Sequence, residues 1–177
     1  MIRNEPLRGE GAKGRGNESV KELRKKNTMF NIRKAIPDDA PSIIGFQQKM
    51  AWETEKITLA NETVTNGVNA VFQDRSKGEY YITEADGQIV ASLLITYEWS
   101  DWRNCNVWWF QSVYVLPEFR RQGIFRKMYT FIRYKAEEQG VAGLRLYVET
   151  RNTQARKTYE ALGMSSEHYS FYEWMRK

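Results

Sequence analysis

One stretch in the middle of the chain carries most of the information about its architecture: residues 113–126, which read VYVLPEFRRQGIFR. An alternating apolar pattern ends at Pro117, a short basic loop follows, and a helical pattern begins at Gln122. The first amides of a helix lack partners within it and lie at the positive end of its dipole. Because Gly123 would let a ligand approach the backbone, the stretch predicts a pyrophosphate-binding loop. The alternative is a solvated basic loop that caps a helix.

Strand and helix patterns follow one another on both sides of this loop. Apolar spacing of two predicts strands at residues 30–35, 80–85, 89–99, 106–116, 144–149 and 169–175. Apolar spacing of three and four predicts helices at residues 37–55, 62–72, 122–139 and 152–162. Asp86-Gly87, between two of the strands, is a strong hairpin signal. This order predicts an α+β fold with a mixed sheet, in one domain over residues 29–177 and without internal repeats.

The positive charge of the chain is concentrated in its first 28 residues. The net charge is +5, and residues 1–28 hold eight Lys or Arg against four Glu, together with four Gly. That composition predicts a disordered basic extension or tag, with Met29 as a natural start. Residues 29–177 hold 19 basic and 18 acidic residues, so they offer no broad basic surface. We therefore expect no nucleic-acid partner, unless the extension itself binds one.

The residue counts exclude several classes of protein. Cys105 and His168 are the single cysteine and the single histidine, which argues against a disulfide framework and against a site built on Cys and His ligands. We accordingly expect no metal. The sequence has no apolar run near the roughly 18 residues that a membrane helix needs, and residues 1–28 lack the apolar core of a secretory signal. A cytoplasmic protein without a membrane partner is the expectation.

A second motif lies downstream of the loop, with the pattern NxxAxxxYxxxGM over residues 152–164. Together with RxxG over residues 120–123, it resembles the paired acyl-CoA motifs of the GNAT superfamily of N-acyltransferases, Q/R-x-x-G-x-G/A and N-x-x-A-x-x-x-Y-x-x-x-G-F. The predicted order of elements is also that of the superfamily. The resemblance covers about residues 30–175, and the two motifs together are far more specific than either alone.

The resemblance implies a GNAT-like, mostly antiparallel sheet with helices on both faces and a central strand that is bulged and splayed from its neighbour. It also implies acetyl-CoA as co-substrate. One residue departs from the family pattern, because Phe125 stands where Gly or Ala is usual. Its ring would have to point away from the pyrophosphate, into the core beside Ile124 and Met128.

Individual positions take roles from the same resemblance. Backbone groups of Val113 and Val115 would pair with the pantetheine arm, and Asn152 would hydrogen-bond to it. The amide of Val115 would also face the oxyanion of the reaction. Tyr159 would lie beside the thioester sulfur and protonate the departing thiolate. The remaining cofactor-binding positions form the loop and the first helical turn: Arg120, Arg121, Gln122, Gly123, Ile124, Phe125 and Arg126. Without the resemblance, Asn152 is simply an N-cap and Tyr159 a core-edge aromatic residue.

The acceptor half of the site is less well defined. A primary amine must lose a proton before it attacks a thioester, yet residues 107–112 contain neither a carboxylate nor a histidine. The nearest candidate for a water-mediated base is Glu98. A pocket for a cationic amine could combine Glu98 and Asp101 with Trp99 and Trp109, with a contribution from residues 53–55. The tryptophans could equally pack in the core or at a subunit interface.

The leading hypothesis is therefore an N-acetyltransferase that acts on a small, cationic amine by direct attack in a ternary complex. Such a mechanism needs no nucleophilic cysteine, so Cys105 is expected to be a bystander. Two alternatives stay open: acetylation of a protein lysine or N-terminus, which would favour an open groove, and a sensor that binds acyl-CoA without turnover. A homodimer is also open, since superfamily members are commonly dimers and the aromatic-rich final strand could pair across subunits.

Overall fold

The computed structural model describes residues 29–168 and 170–176. The extension predicted over residues 1–28 lies outside this range. Within this described range, five strands form one sheet in chain order, with β1 to β4 antiparallel and β5 parallel to β4. The strands are β1 Phe30–Lys34, β2 Glu79–Ala85, β3 Gln88–Ser100, β4 Cys105–Val115 and β5 Leu144–Leu146. The predicted α+β fold with a mostly antiparallel sheet is confirmed.

In the residues that the structure describes, four helices cover the two faces of the sheet. They are α1 Ala40–Glu55, which follows a 3₁₀ turn at Pro37–Asp39, α2 Asn61–Gln73, α3 Ile124–Glu138 and α4 Thr153–Glu160. Neighbouring residues of a strand face opposite sides. Ile82 accordingly packs with Ile43 of α1 and Val68 of α2, whereas Tyr81 belongs to the larger cluster that contains Met128 of α3.

β4 is bulged and then separates from β5, as the resemblance implied. Ser92 of β3 pairs with Tyr114, but Leu94 pairs with Gln111, so β4 holds one extra residue between these pairs. Ser112 lies in the bulge with a left-handed φ of 50°. The pairing of β5 with β4 covers residues 108–110 only, which leaves the last five residues of β4 without a partner from β5. A gap therefore opens beside the bulge.

The predicted hairpin at Asp86-Gly87 is confirmed. Both residues have a positive φ, 50° and 78°, which is the geometry of a type I′ turn. The strand predicted over residues 144–149 ends three residues earlier, at Leu146. In the described part of the chain, no helix is long and apolar enough to cross a membrane, and no group of three or more His, Cys, Asp or Glu side chains could hold a metal ion.

The final strand predicted over residues 169–175 is wrong for the residues that the structure describes. Residues 170–175 form no strand, and position 169 is outside the described range. Aromatic content alone does not make a strand, because a strand also needs a neighbour that offers backbone hydrogen bonds. The segment instead lies on the surface, where the ring of Phe171 packs on Tyr147 at 4.7 Å.

Candidate active site

The loop between β4 and α3 presents backbone amides rather than side chains. Arg121 and Gly123 have left-handed φ values of 61° and 76°, so the chain turns twice before α3 begins at Ile124. No side chain caps the start of α3, and its first backbone bond runs from the Lys127 amide to the Gly123 carbonyl. The preceding amides of this turn are thus uncapped at the positive end of the dipole. Such a concave set of N–H groups suits a diphosphate.

The arginine side chains of this loop differ in their surroundings. Arg120, Arg121 and Arg126 are all exposed, but the Arg120 side chain folds back along the end of β4. Its Nε donates to the Val115 carbonyl at 2.8 Å, and its Nη2 donates to the Glu53 carboxylate at 2.5 Å. Arg120 is therefore engaged with protein groups on both sides.

The ring of Phe125 points inward, away from the loop surface. It packs edge-on against Phe110 at 6.2 Å and against Tyr159 at 5.4 Å, and it belongs to the periphery of the core cluster that includes Ile124 and Met128. A bulky residue at this position is therefore accommodated by the core. It also connects the first turn of α3 directly to α4.

Helix α4 supplies two of the expected residues. Asn152 is its N-cap, because the side-chain oxygen accepts a hydrogen bond from the Ala155 amide at 3.1 Å. Its Nδ2 group is the part that could donate to a ligand. Tyr159 lies near the C-terminal end of the same helix and is half-buried. Burial raises the pKa of its hydroxyl above the ordinary value. At neutral pH Tyr159 is a proton donor.

Glu98 is held by two partners on neighbouring strands. One of its oxygens accepts a hydrogen bond from the Trp109 indole at 2.6 Å, and the other is paired with Arg145 of β5, also at 2.6 Å. The Arg145 guanidinium lies 5.6 Å from the centre of the Trp109 ring, and Tyr147 packs on the same ring at 4.5 Å. The result is a compact polar and aromatic cluster across β3, β4 and β5.

A cavity of about 540 Å³ joins this cluster to α4. Trp109, Arg145 and Tyr159 all contribute to its wall, so the structure brings the predicted acid and one predicted acceptor residue together. Further lining residues are Leu144, Leu146, Val148, Arg156, Glu160 and Met164. Its size is in the range of small-molecule pockets.

Two predicted acceptor residues lie elsewhere. Trp99 faces away from Glu98, since neighbouring strand residues alternate in direction, and its side chain is 61% exposed. Asp101 is exposed in the turn after β3, where its carboxylate accepts from the Trp102 amide at 2.9 Å. Neither residue is among those that line the cavity, and Glu98 borders it only through its bonds to the lining residues Trp109 and Arg145.

Comparison with known proteins identifies the family. The sequence profile of the Acetyltransferase (GNAT) family matches residues 44–164. The chain belongs to the GNAT family. A solved structure of a possible acetyltransferase from Clostridium difficile 630 is 41% identical, with a TM-score of 0.77 over 84% of this chain and 99% of that one.

Two further proteins are similar to this chain over a shorter stretch or at lower identity. Thialysine N-epsilon-acetyltransferase from Bos taurus is 35% identical over 75 residues, which cover 42% of this chain and 44% of that protein. The alignment thus spans less than half of this curated relative. An aminoglycoside N-acetyltransferase in complex with a CoA-containing bisubstrate analogue is 17% identical, with a TM-score of 0.69 over 84% of this chain and 99% of that one. That likeness shows the shared fold.

Two features of the candidate site in this GNAT domain were not predicted from the sequence: the position of Arg145 and the bond between Glu53 and Arg120. Arg145, between two leucines of β5, is a charged residue in an apolar strand, and that irregularity was the available signal. The bond between Glu53 and Arg120 joins residues far apart in the chain, and nothing in the local pattern announces it.

Proposed function

We propose that residues 29–177 form an N-acetyltransferase that transfers the acetyl group of acetyl-CoA to a primary amine of a small, cationic acceptor by direct attack in a ternary complex. The observation that carries this proposal is the combination of an uncapped, doubly turned start of α3 with the gap between β4 and β5 beside it. The start of α3 fits the diphosphate of acetyl-CoA, and the gap fits its extended pantetheine arm.

The residues that would hold acetyl-CoA are those of the loop, the bulged strand and the α4 N-cap. Val113 and Val115 lie on the part of β4 that β5 leaves unpaired, so their backbone groups on that side could pair with pantetheine. The amides from Arg121 to Arg126 would receive the diphosphate. Bound acetyl-CoA supplies a thioester carbonyl as the electrophile.

Tyr159 is the proposed catalytic acid. Its hydroxyl keeps its proton at neutral pH, since the ordinary pKa of a tyrosine is about 10 and burial raises the pKa of Tyr159 above that value. The contact of its ring with Phe125 fixes Tyr159 next to the first turn of α3, on the wall of the cavity. A tyrosine held in this way can donate a proton to a sulfur at the meeting point of the two substrates.

Glu98, Trp109 and the neighbouring cavity form the proposed acceptor side. The aromatic ring of Trp109 and the carboxylate of Glu98 offer a cation–π contact and charge pairing to an amine. Glu98 could also accept a proton through water, although its bonds to Trp109 and Arg145 mean that an incoming group must share its oxygens. The likeness to a thialysine N-epsilon-acetyltransferase supports a small amine as acceptor.

Calorimetric titration of acetyl-CoA and CoA into the full chain tests the cofactor half of the proposal. Micromolar binding of both is the expected result, and absence of binding would overturn the assignment. Release of the CoA thiol is then assayed with a panel of polyamines, diamino acids and lysine peptides. This assay distinguishes a small-amine acetyltransferase from a protein acetyltransferase and from a sensor. Turnover with small amines supports the proposal, turnover with peptides alone supports a protein acetyltransferase, and tight binding without turnover supports a sensor.

The charge distribution and the exposed aromatic residues bear on the location, partners and oligomeric state of the protein. We propose a cytoplasmic protein without a nucleic-acid or membrane partner, because the charge excess lies in residues 1–28 and the domain is near neutrality. A homodimer would be seen as a doubled mass in light scattering of the full chain. Exposed aromatic residues of the C-terminal segment, Tyr172 and Trp174, support such an assembly.

A further inference from the structure

Glu53 connects the end of helix α1 to the cofactor loop. Its Oε1 accepts a hydrogen bond from the Tyr114 hydroxyl at 2.6 Å, and its Oε2 accepts one from Arg120 Nη2 at 2.5 Å. Tyr114 lies on β4 between Val113 and Val115, the two positions proposed to pair with pantetheine. A single carboxylate therefore contacts both the strand and the loop that would hold the cofactor.

Arg120 completes a closed arrangement around the point where β4 turns into the loop. Its Nε donates to the Val115 carbonyl, its Nη2 donates to Glu53, and its guanidinium lies 5.4 Å from the centre of the Tyr114 ring. A planar guanidinium can hold two such partners at fixed angles, which a lysine ammonium cannot. Immediately after this anchor comes Arg121 in its left-handed conformation.

The protonation states agree with this geometry. Burial alone would raise the pKa of Glu53, but the hydrogen bonds from Tyr114 and Arg120 outweigh it and hold the pKa below its usual range. Burial, together with the bond to Glu53, raises the pKa of Tyr114 to about 12. At neutral pH the Glu53 carboxylate is charged and the Tyr114 phenol is protonated. Tyr114 and Arg120 can therefore both donate hydrogen bonds to Glu53.

We propose that Glu53 is a positioning residue for cofactor binding, which acts through Arg120 to hold the loop in its binding conformation before the cofactor arrives. This inference rests on the proposed function, since it assumes that the loop receives the diphosphate of CoA. A left-handed, non-glycine residue such as Arg121 stays in place only when its surroundings hold it there. With the anchor lost, ordering of the loop must accompany binding, and the affinity falls.

The same geometry separates this role from the acceptor role that the sequence suggested for residues 53–55. A carboxylate that binds the amine would affect the KM for the amine and leave CoA affinity unchanged. A carboxylate that positions the loop affects the Kd for CoA in the absence of any amine. Only the second reading makes the effects of changing Glu53 and Arg120 overlap, because both variants break the same anchor.

The test is a double-mutant cycle on CoA binding, measured by calorimetry on the full chain. We expect Glu53→Gln and Arg120→Gln each to raise the Kd for CoA about tenfold, the effect of breaking the charge-assisted bond between them, and the double variant to bind no more weakly than the weaker-binding single variant. The matched control is Glu137→Gln, which breaks an exposed ion pair with Arg133 at the other end of α3 and should leave the Kd unchanged.

The results distinguish failure of the proposed acetyltransferase function from failure of the positioning role of Glu53. If the wild-type chain does not bind CoA, the proposed function fails. If the wild-type chain binds and Glu53→Gln binds equally well, the positioning role fails and the proposed function stands. A Glu53→Gln variant with a lower melting temperature and an unchanged Kd would likewise overturn the role, since Glu53 would then serve the fold alone. Additive effects of Glu53→Gln and Arg120→Gln would also contradict it.

Discussion

The two ends of β4 build their parts of the candidate site from different atoms. At the C-terminal end, the bulge at Ser112 and the left-handed turns at Arg121 and Gly123 arrange backbone groups, while side chains such as Phe125 turn into the core. Nearer the other end, Trp109 contributes a side chain that is useful only because β3 and β5 bring Glu98 and Arg145 to it. A site made of backbone depends on local turns, whereas a site made of side chains depends on neighbours distant in sequence.

Tyr159 lies where the two parts meet, and its substitution should have the largest effect. Tyr159→Phe removes the proton donor but keeps the ring that packs on Phe125. We expect kcat to fall about 100-fold, within the usual range for a general acid, and the Kd for CoA to stay within about twofold. Steady-state kinetics and calorimetry measure the two effects. Tyr134→Phe, at an exposed tyrosine of α3, is the control. An unchanged kcat in Tyr159→Phe would remove Tyr159 from the chemistry.

The backbone part of the site is also the part that the sequence predicts well. A proline at the strand end, a basic loop and Gly123 predict a helix from Gln122, and the observed helix begins at Ile124, because each of these signals acts over a few residues. The acceptor part was only half anticipated. Glu98 and Trp109 meet, whereas Trp99 faces away and the final strand is absent from residues 170–175. The direction of Trp99 follows from alternation along β3, which the sequence already contains. The missing strand and the meeting of Glu98 with Trp109 depend on which strands pair, and a local pattern does not contain that information.

The glycine of the loop offers the next test of the comparison. Gly123→Ala should raise the Kd for CoA about tenfold, because a left-handed alanine is strained and its methyl group would lie where the ligand approaches. Gly87→Ala is the matched control. Gly87 has a φ of 78°, close to the 76° of Gly123, and both glycines have open space at the Cβ position. Both variants should lose about 1 kcal/mol of unfolding free energy in denaturant titrations.

Only Gly123→Ala should weaken the binding of CoA. If Gly87→Ala weakens it to the same degree, the effect comes from general destabilisation and the loop has no special part in it. If Gly123→Ala binds CoA normally, the backbone at this position does not contact the cofactor.

A smaller effect is expected on the side-chain part of the site. Trp109→Phe removes the indole donor to Glu98 but keeps an aromatic ring beside Arg145 and Tyr147. We expect the KM for the amine to rise about fivefold, as for one partly exposed hydrogen bond to a charged group, with no change in the Kd for CoA. Trp102→Phe is the control, because Trp102 is 89% exposed in the turn after β3. A change in CoA affinity in Trp109→Phe would mean that the two ends of β4 are not independent.

The smallest effect concerns pH and the anchor of the loop. The pKa of Glu53 is lower in the folded protein than its ordinary value, because the bonds from Tyr114 and Arg120 outweigh burial. Its contribution to stability is therefore complete above the unfolded pKa of about 4.3 and is lost as the pH falls through the folded pKa. The difference in melting temperature between the wild type and Glu53→Gln should be constant from neutral pH to about pH 5 and shrink below about pH 4. Calorimetric melting curves across this range measure it. A difference that grows on acidification would mean that Glu53 is protonated more easily in the folded state, and the anchor could not be the charged arrangement that the geometry indicates.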